Sequence, residues 1–210
     1  RSITFGLGSD RMALPADFPK GPGPARNAYI LAAVDDGRIA PVWKALTVTS
    51  NGHTATFFVL ADALKLNGVR LSTSAYNLQQ IADKLHASLM TPRLIDWAFL
   101  HAEIAIPPQT IYPPDASTVA IEKESSRMDD AILAATGGIV VGDDEVLVAP
   151  IGKNWCLSNL LIGAKAKNGR IAAALYGWAM MRGYVPPVGV TPSPGTLPGI
   201  KNIQPLGTPH

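Results

Sequence analysis

The sequence predicts an α+β fold: an antiparallel sheet built from two Asn-Gly hairpins, with three or four packed helices. Three observations lead there. The pairs Asn51-Gly52 and Asn168-Gly169 each sit between β-prone runs, and a type I′ turn needs positive φ at both of its central positions. Several helical stretches carry their own start and stop residues. The strands fall in neighbouring groups and do not alternate singly with helices, which argues against a doubly wound parallel sheet.

The elements follow in order. Residues 1–24 carry Pro15, Pro19, Pro22 and Pro24 and little periodicity, so they read as an extended arm. Ala25–Asp36 has Ala28, Leu31 and Ala32 at helical spacing, with Ile30 and Val34 on a neighbouring track and Gly37 as a natural stop. Ala45–Ser50 and His53–Leu60 then flank the first Asn-Gly turn. Pairing across it sets Ser50 against His53, Val48 against Ala55 and Leu46 against Phe57. The opposite face carries Thr47, Thr49, Thr54 and Thr56. One apolar and one threonine face describe a half-buried ribbon.

Ser74 can cap a helix over Ala75–Ala87, with Leu78, Ile81, Ala82 and Leu85 as its core stripe. Thr91-Pro92 opens another over Pro92–Ile104, with Ile95, Ala98, Phe99 and Ala102 inward. A third starts near Ser125 or Ser126, passes Met128, Ile132 and Ala135, and ends at Gly137-Gly138. Ile139–Val141 and Val146–Ile151 are strand-like. The second hairpin sets Ala166 against Ile171, Ala164 against Ala173 and Ile162 against Leu175. The division is an arm (1–24), one α+β domain (25–185) and a Pro/Gly-rich tail (186–210). The start at Arg1 fits a removed leader or a trimmed end, and the loop-like stop at His210 suggests further residues beyond it.

Composition limits the function classes. The chain has 210 residues, long enough to bury about 70% of its unfolded surface without disulfides or metals. Charged residues make up 16%, against a usual ~25%. The net charge is +2 and the basic residues are scattered, so no nucleic-acid partner is expected. No apolar run reaches the ~18 residues of a membrane helix, so no transmembrane segment is expected.

The chemistry-bearing residues are few. Cys156 is the one cysteine. It lies between Trp155 and Leu157 and fits a small buried hydrophobe better than an activated nucleophile. His53, His86, His101 and His210 show no ligand spacing, and His101-Ala102-Glu103 lacks the cysteine pair of a zinc deaminase. No metal and no cofactor are expected. His53, just after a hairpin turn, is a candidate general base. Asp62 or Asp96 would be its orienting carboxylate or acid, and His210 is a second candidate base. Each also fits a solvated surface residue. The polar–aromatic clusters Lys153-Asn154-Trp155 and Tyr176-Gly177-Trp178 sit at strand ends and can stack on a ring or hold a peptide. The same tryptophans could equally cover sheet edges.

The blocks Gly152-Lys153-Asn154-Trp155-Cys156-Leu157-Ser158-Asn159, Ala174-Leu175-Tyr176-Gly177-Trp178 and Ile203-Gln204-Pro205-Leu206-Gly207 with His210 resemble those of a family of exported bacterial proteins with no assigned activity. Gln80–Leu85 and Thr91-Pro92-Arg93 look similar too. The resemblance implies a secreted or periplasmic setting. It also groups Lys153, Asn154, Tyr176, Trp178, Gln204 and His210 as a shared cluster.

The functional expectation is an exported hydrolase acting on a cell-wall or other polymer, at a peptide or glycan bond, by general acid/base chemistry. The alternative is a non-catalytic carbohydrate- or protein-binding module. The partner is then a polymeric or peptide substrate, or a C-terminal fragment of the same precursor.

Overall fold

A computed structural model describes residues 12–106, 115–142, 146–148, 154–157, 172–177 and 199–205. Its organising local element is a hairpin. Strand β1 (Trp43–Ser50) pairs antiparallel with β2 (His53–Leu60), in a register running from Ser50/His53 to Trp43/Leu60. Asn51 and Gly52 make the turn with φ of 51° and 77°. Thr47 bonds Thr56 and Thr49 bonds Thr54, both at 2.9 Å, across the outer face. Leu46, Val48 and Val59 are buried on the inner face.

A second Asn-Gly turn follows, one that sequence reading passes over. Asn67 (φ 49°) and Gly68 (φ 78°) join β3 (Lys65–Leu66) to β4 (Val69–Arg70). Each strand has two residues, too few to show a period. Yet Leu66 and Val69 expose 0% and 1%, so this small hairpin is core.

Helix α1 (Pro24–Asp35) turns Arg26, Ile30 and Ala33 inward. Ala28 and Ala32 are exposed. The Arg26 guanidinium is buried, donates to the carbonyls of Ala116 (2.6 Å) and Pro19 (3.0 and 3.2 Å), and lies over Phe18. It thus joins the arm, α1 and the approach to the last helix. Phe18 and Leu14, from the stretch read as an arm, are buried in the main core with Ile30, Ile39, Leu66 and Ile81.

Ser74 caps α2 (Ala75–Lys84), accepting from the Asn77 N–H, and Thr91 caps α3 (Pro92–Leu100), accepting from the Leu94 N–H. Both helices end earlier than the periodicity suggests. His86 closes α2 with φ 51°, and α3 stops before Ile104, which forms a parallel bridge with Val148. Helix α3 crosses the inner face of the hairpin. Trp97 stacks on Phe57 with centroids 6.2 Å apart, the Arg93 guanidinium lies over Trp97 at 4.8 Å, and Arg93 donates to Ser50 Oγ at 2.7 Å.

Helix α4 (Thr118–Ala135) starts seven residues before Ser125, at a cap on Ser117 whose own N–H and hydroxyl are held by Asp115. It buries Ala120, Ile121 and Ser125. Ile139–Val141, expected as a strand, is not one; Ile139 and Val140 expose 66% and 78%.

Strands β5 (Asn154–Cys156), β6 (Ala172–Gly177) and β7 (Gly199–Pro205) form an antiparallel sheet in the order β5-β6-β7. Among the described residues the strands fall in three small antiparallel sheets, β1-β2, β3-β4 and β5-β6-β7. Leu175 pairs with Trp155 on one side and Asn202 on the other. Both edges of β6 are taken there, which excludes the expected Ile162–Leu175 pair. The Asn168-Gly169 turn lies outside the described residues. β7 falls within the stretch set apart as a tail.

Candidate functional site

Where the open end of the β1–β2 hairpin meets α2, the described residues enclose a cleft of ≈ 700 Å³. One wall is Phe57, Phe58, Val59 and Leu60 of β2, with Trp43 of β1 beside them. The opposite wall is the inner stripe of α2, Leu78, Ile81, Ala82 and Leu85. The α2–α3 connection, residues 86–90, and Trp155 complete it. Trp155 is fixed by its indole N–H, which donates to the Thr73 carbonyl at 3.1 Å. Trp43 and Phe58 stand at the lip, 41% and 70% exposed. His86 and Ser88 are the polar side chains of the lining.

A smaller cavity of ≈ 360 Å³ shares Trp155, Val59 and Leu60 with the first. Its polar wall contains Asp62 and Arg70. The Arg70 guanidinium grips Asp62 at 2.6–3.1 Å, bonds Asp129 on α4, and reaches the Ser125 carbonyl at 3.4 Å. Lys65 adds a second cation 3.0 Å from Asp62. Burial alone would raise the Asp62 carboxyl. The hydrogen bonds and charge of Arg70, with Lys65 and the Ala63 N–H, outweigh burial and hold it below the usual carboxylate range. A carboxylate so committed holds β2, β4 and α4 together. It is poorly placed to orient a base.

Among the described residues, the candidate base His53 and the candidate carboxylate Asp62 do not meet. His53 is exposed at the turn end of β2, and its side chain has no hydrogen bond or ion pair among the described residues. Asp62 lies beyond the other end of the same strand, and the seven steps from His53 to Leu60 span roughly 23 Å at ~3.3 Å per residue. Proton transfer needs hydrogen-bond reach, so His53 and Asp62 cannot be a pair. Asp96 is half-buried on α3, next to Trp97. His210, Lys153 and Trp178 lie outside the described residues. Asn154 and Tyr176 are register partners across β5 and β6, while Gln204 of β7 pairs with Ala173. Of the proposed binding residues, Trp155 lines both cavities.

Cys156 is 6% exposed and packs with Ile95 and Met90. Burial pushes its thiol up, which suits a packing residue and not a nucleophile. Among the described residues no three His, Cys, Asp or Glu side chains are grouped to hold a metal. No helix among them is long and apolar enough to cross a membrane.

Sequence reading missed Trp43, Phe58 and the α2 wall as site residues. A signal existed. The outer face of the hairpin begins with threonines and continues with Phe58, Leu60, Ala45 and Trp43. The outer face is thus apolar at the open end, which a ribbon solvated on that side does not need. No protein-family model matches the chain, and neither a curated protein nor a solved structure matches it.

Proposed function

We propose that this chain is a non-catalytic binding domain that takes an apolar segment of a partner protein into the cleft between β2 and α2. One observation carries the reading: two large aromatics, Trp43 and Phe58, stay exposed at the lip of a cleft whose lining is almost wholly apolar. Solvent-facing apolar surface continuous with a concave site is the mark of an interaction surface. Its chemistry favours protein over glycan. A sugar carries a hydroxyl on most carbons, and burying each without a partner costs roughly 1–3 kcal/mol. The polar side chains of the lining, His86 and Ser88, are too few to satisfy the hydroxyls of a buried sugar ring. A hydrolase built on His53 and Asp62 is disfavoured by their positions at and beyond opposite ends of β2, roughly 23 Å apart along the strand at ~3.3 Å per residue.

The test compares the wild type with Trp43→Ser/Phe58→Ser. Both side chains are exposed, so stability should change by about 0.5 kcal/mol or less each. Binding of the apolar dye anilinonaphthalene sulfonate to the native protein should fall at least tenfold. Unchanged dye binding would remove the cleft from the account. New fragments released from peptidoglycan sacculi, and abolished by His53→Ala/His210→Ala, would restore the hydrolase.

A further inference from the structure

From the backbone of β2 we infer that the cleft recognises its partner as an extended strand, added to the free edge of β2; this rests on the cleft being a binding site. Four successive residues, Phe57, Phe58, Val59 and Leu60, all line it. Successive side chains of a strand point to opposite faces. A cavity that touches four in a row therefore runs along the strand's edge and not over one face.

The hydrogen-bond register fixes which groups that edge presents. The Ala61 N–H donates to the Val42 carbonyl at 2.9 Å, so residues 42 and 61 form a bonded pair. Bonded and non-bonded pairs alternate in an antiparallel ladder. Val59/Lys44 and Phe57/Leu46 are then bonded, while Phe58/Ala45 and Leu60/Trp43 are not. The N–H and C=O groups of Phe58 and Leu60 thus point away from β1, along the cleft. They have no backbone partner among the described residues. Unpaired donors and acceptors in an apolar groove are complementary to another backbone, since an unpaired polar group there costs free energy.

The size sets the occupant. Rise, strand spacing and sheet spacing multiply to about 160 Å³ per strand residue. The ≈ 700 Å³ of the cleft then holds roughly four residues. That admits one extended segment and is too narrow for the sheet of a second copy of this chain. Leu78, Ile81 and Leu85 of α2 face the added strand, so the partner carries apolar side chains at alternate positions.

The experiment titrates the intact chain with acetylated, amidated pentapeptides: Thr-Val-Thr-Val-Thr, Thr-Leu-Thr-Leu-Thr and Thr-Phe-Thr-Phe-Thr. Amide hydrogen exchange is read by nuclear magnetic resonance, with anilinonaphthalene sulfonate as a parallel probe. At least one peptide should bind with a Kd at or below about 1 mM. At ten times its Kd it should slow exchange of the Phe58 and Leu60 amides about tenfold. The Phe57 and Val59 amides, already bonded to β1, should change little. A peptide that binds without slowing Phe58 and Leu60 overturns strand addition and leaves the apolar cleft standing. Dye binding with no peptide binding does the same. Failure of both probes overturns the binding site itself.

Discussion

Removing the Arg70 guanidinium while leaving Asp62 in place should be among the most damaging single changes in this protein. The Arg70 side chain is 5% exposed and that of Asp62 10%, whereas Asp129 is 38% exposed. Arg70→Met leaves a buried carboxylate whose remaining cation is Lys65, and breaking a buried pair in this way costs about 3–5 kcal/mol. Asp129→Asn keeps an acceptor oxygen at a half-exposed position and should cost about 1 kcal/mol or less. Removing both partners, in Asp62→Leu/Arg70→Met, leaves no orphaned charge. The double variant should therefore be more stable than Arg70→Met alone. The assay is urea unfolding followed by tryptophan fluorescence. With a slope near ~2 kcal/mol/M, Arg70→Met should lower the midpoint by about 2 M. Equal losses for Arg70→Met and Asp129→Asn, or simple additivity of the Asp62 and Arg70 changes, would refute the reasoning. The pH dependence has a definite sign. The Asp62 carboxyl is held low in the fold, so its stabilisation is complete above the unfolded value near ~3.9 and is lost as pH falls through the lower folded value. Asp62→Asn should flatten this acid limb.

Three further outcomes are expected. Gly68→Ala should cost about 1–2 kcal/mol for its left-handed backbone, and more than Gly52→Ala, because a Cβ at Gly68 meets Met12 while one at Gly52 meets open space; thermal unfolding of the two variants checks the order. Cys156 should react with a thiol reagent far more slowly in native buffer than in denaturing urea; equal rates would contradict its burial. His53→Ala should leave stability within about 0.5 kcal/mol of wild type, since the side chain is exposed; a loss above about 2 kcal/mol would reveal a missed partner.

Much of the helical structure was legible because its signals are local. Ser74 and Thr91-Pro92 mark their helix starts by side-chain capping, which needs no tertiary context. The Asn51-Gly52 turn and its register are local for the same reason. The start of α4 was not legible. Thr118-Val119-Ala120-Ile121 is β-branched and strand-like, and the Ser117 cap, with Asp115 behind it, overrides that propensity. The inner face of α1 was only partly legible: Ile30 is buried as an apolar residue should be, but the buried Arg26 beside it carries no apolar signal. Asn67-Gly68 was passed over because two-residue strands carry no period. The cleft depends on residues 43–60, 78–94 and 155 meeting, a closure that periodicity cannot report. The separation of His53 from Asp62 follows from strand length alone once both are placed about one hairpin.

The most direct measurement of the central claim is a methyl chemical-shift titration. The chain would carry labelled Leu, Val and Ile methyls, with anilinonaphthalene sulfonate as the probe. The account predicts saturable shifts concentrated at Val59, Leu60, Leu64, Leu78, Ile81 and Leu85, all in the cleft lining. Shifts confined to the exposed end of α4 and beyond, at Leu133, Ile139 and Val140, would contradict it and move the binding surface there.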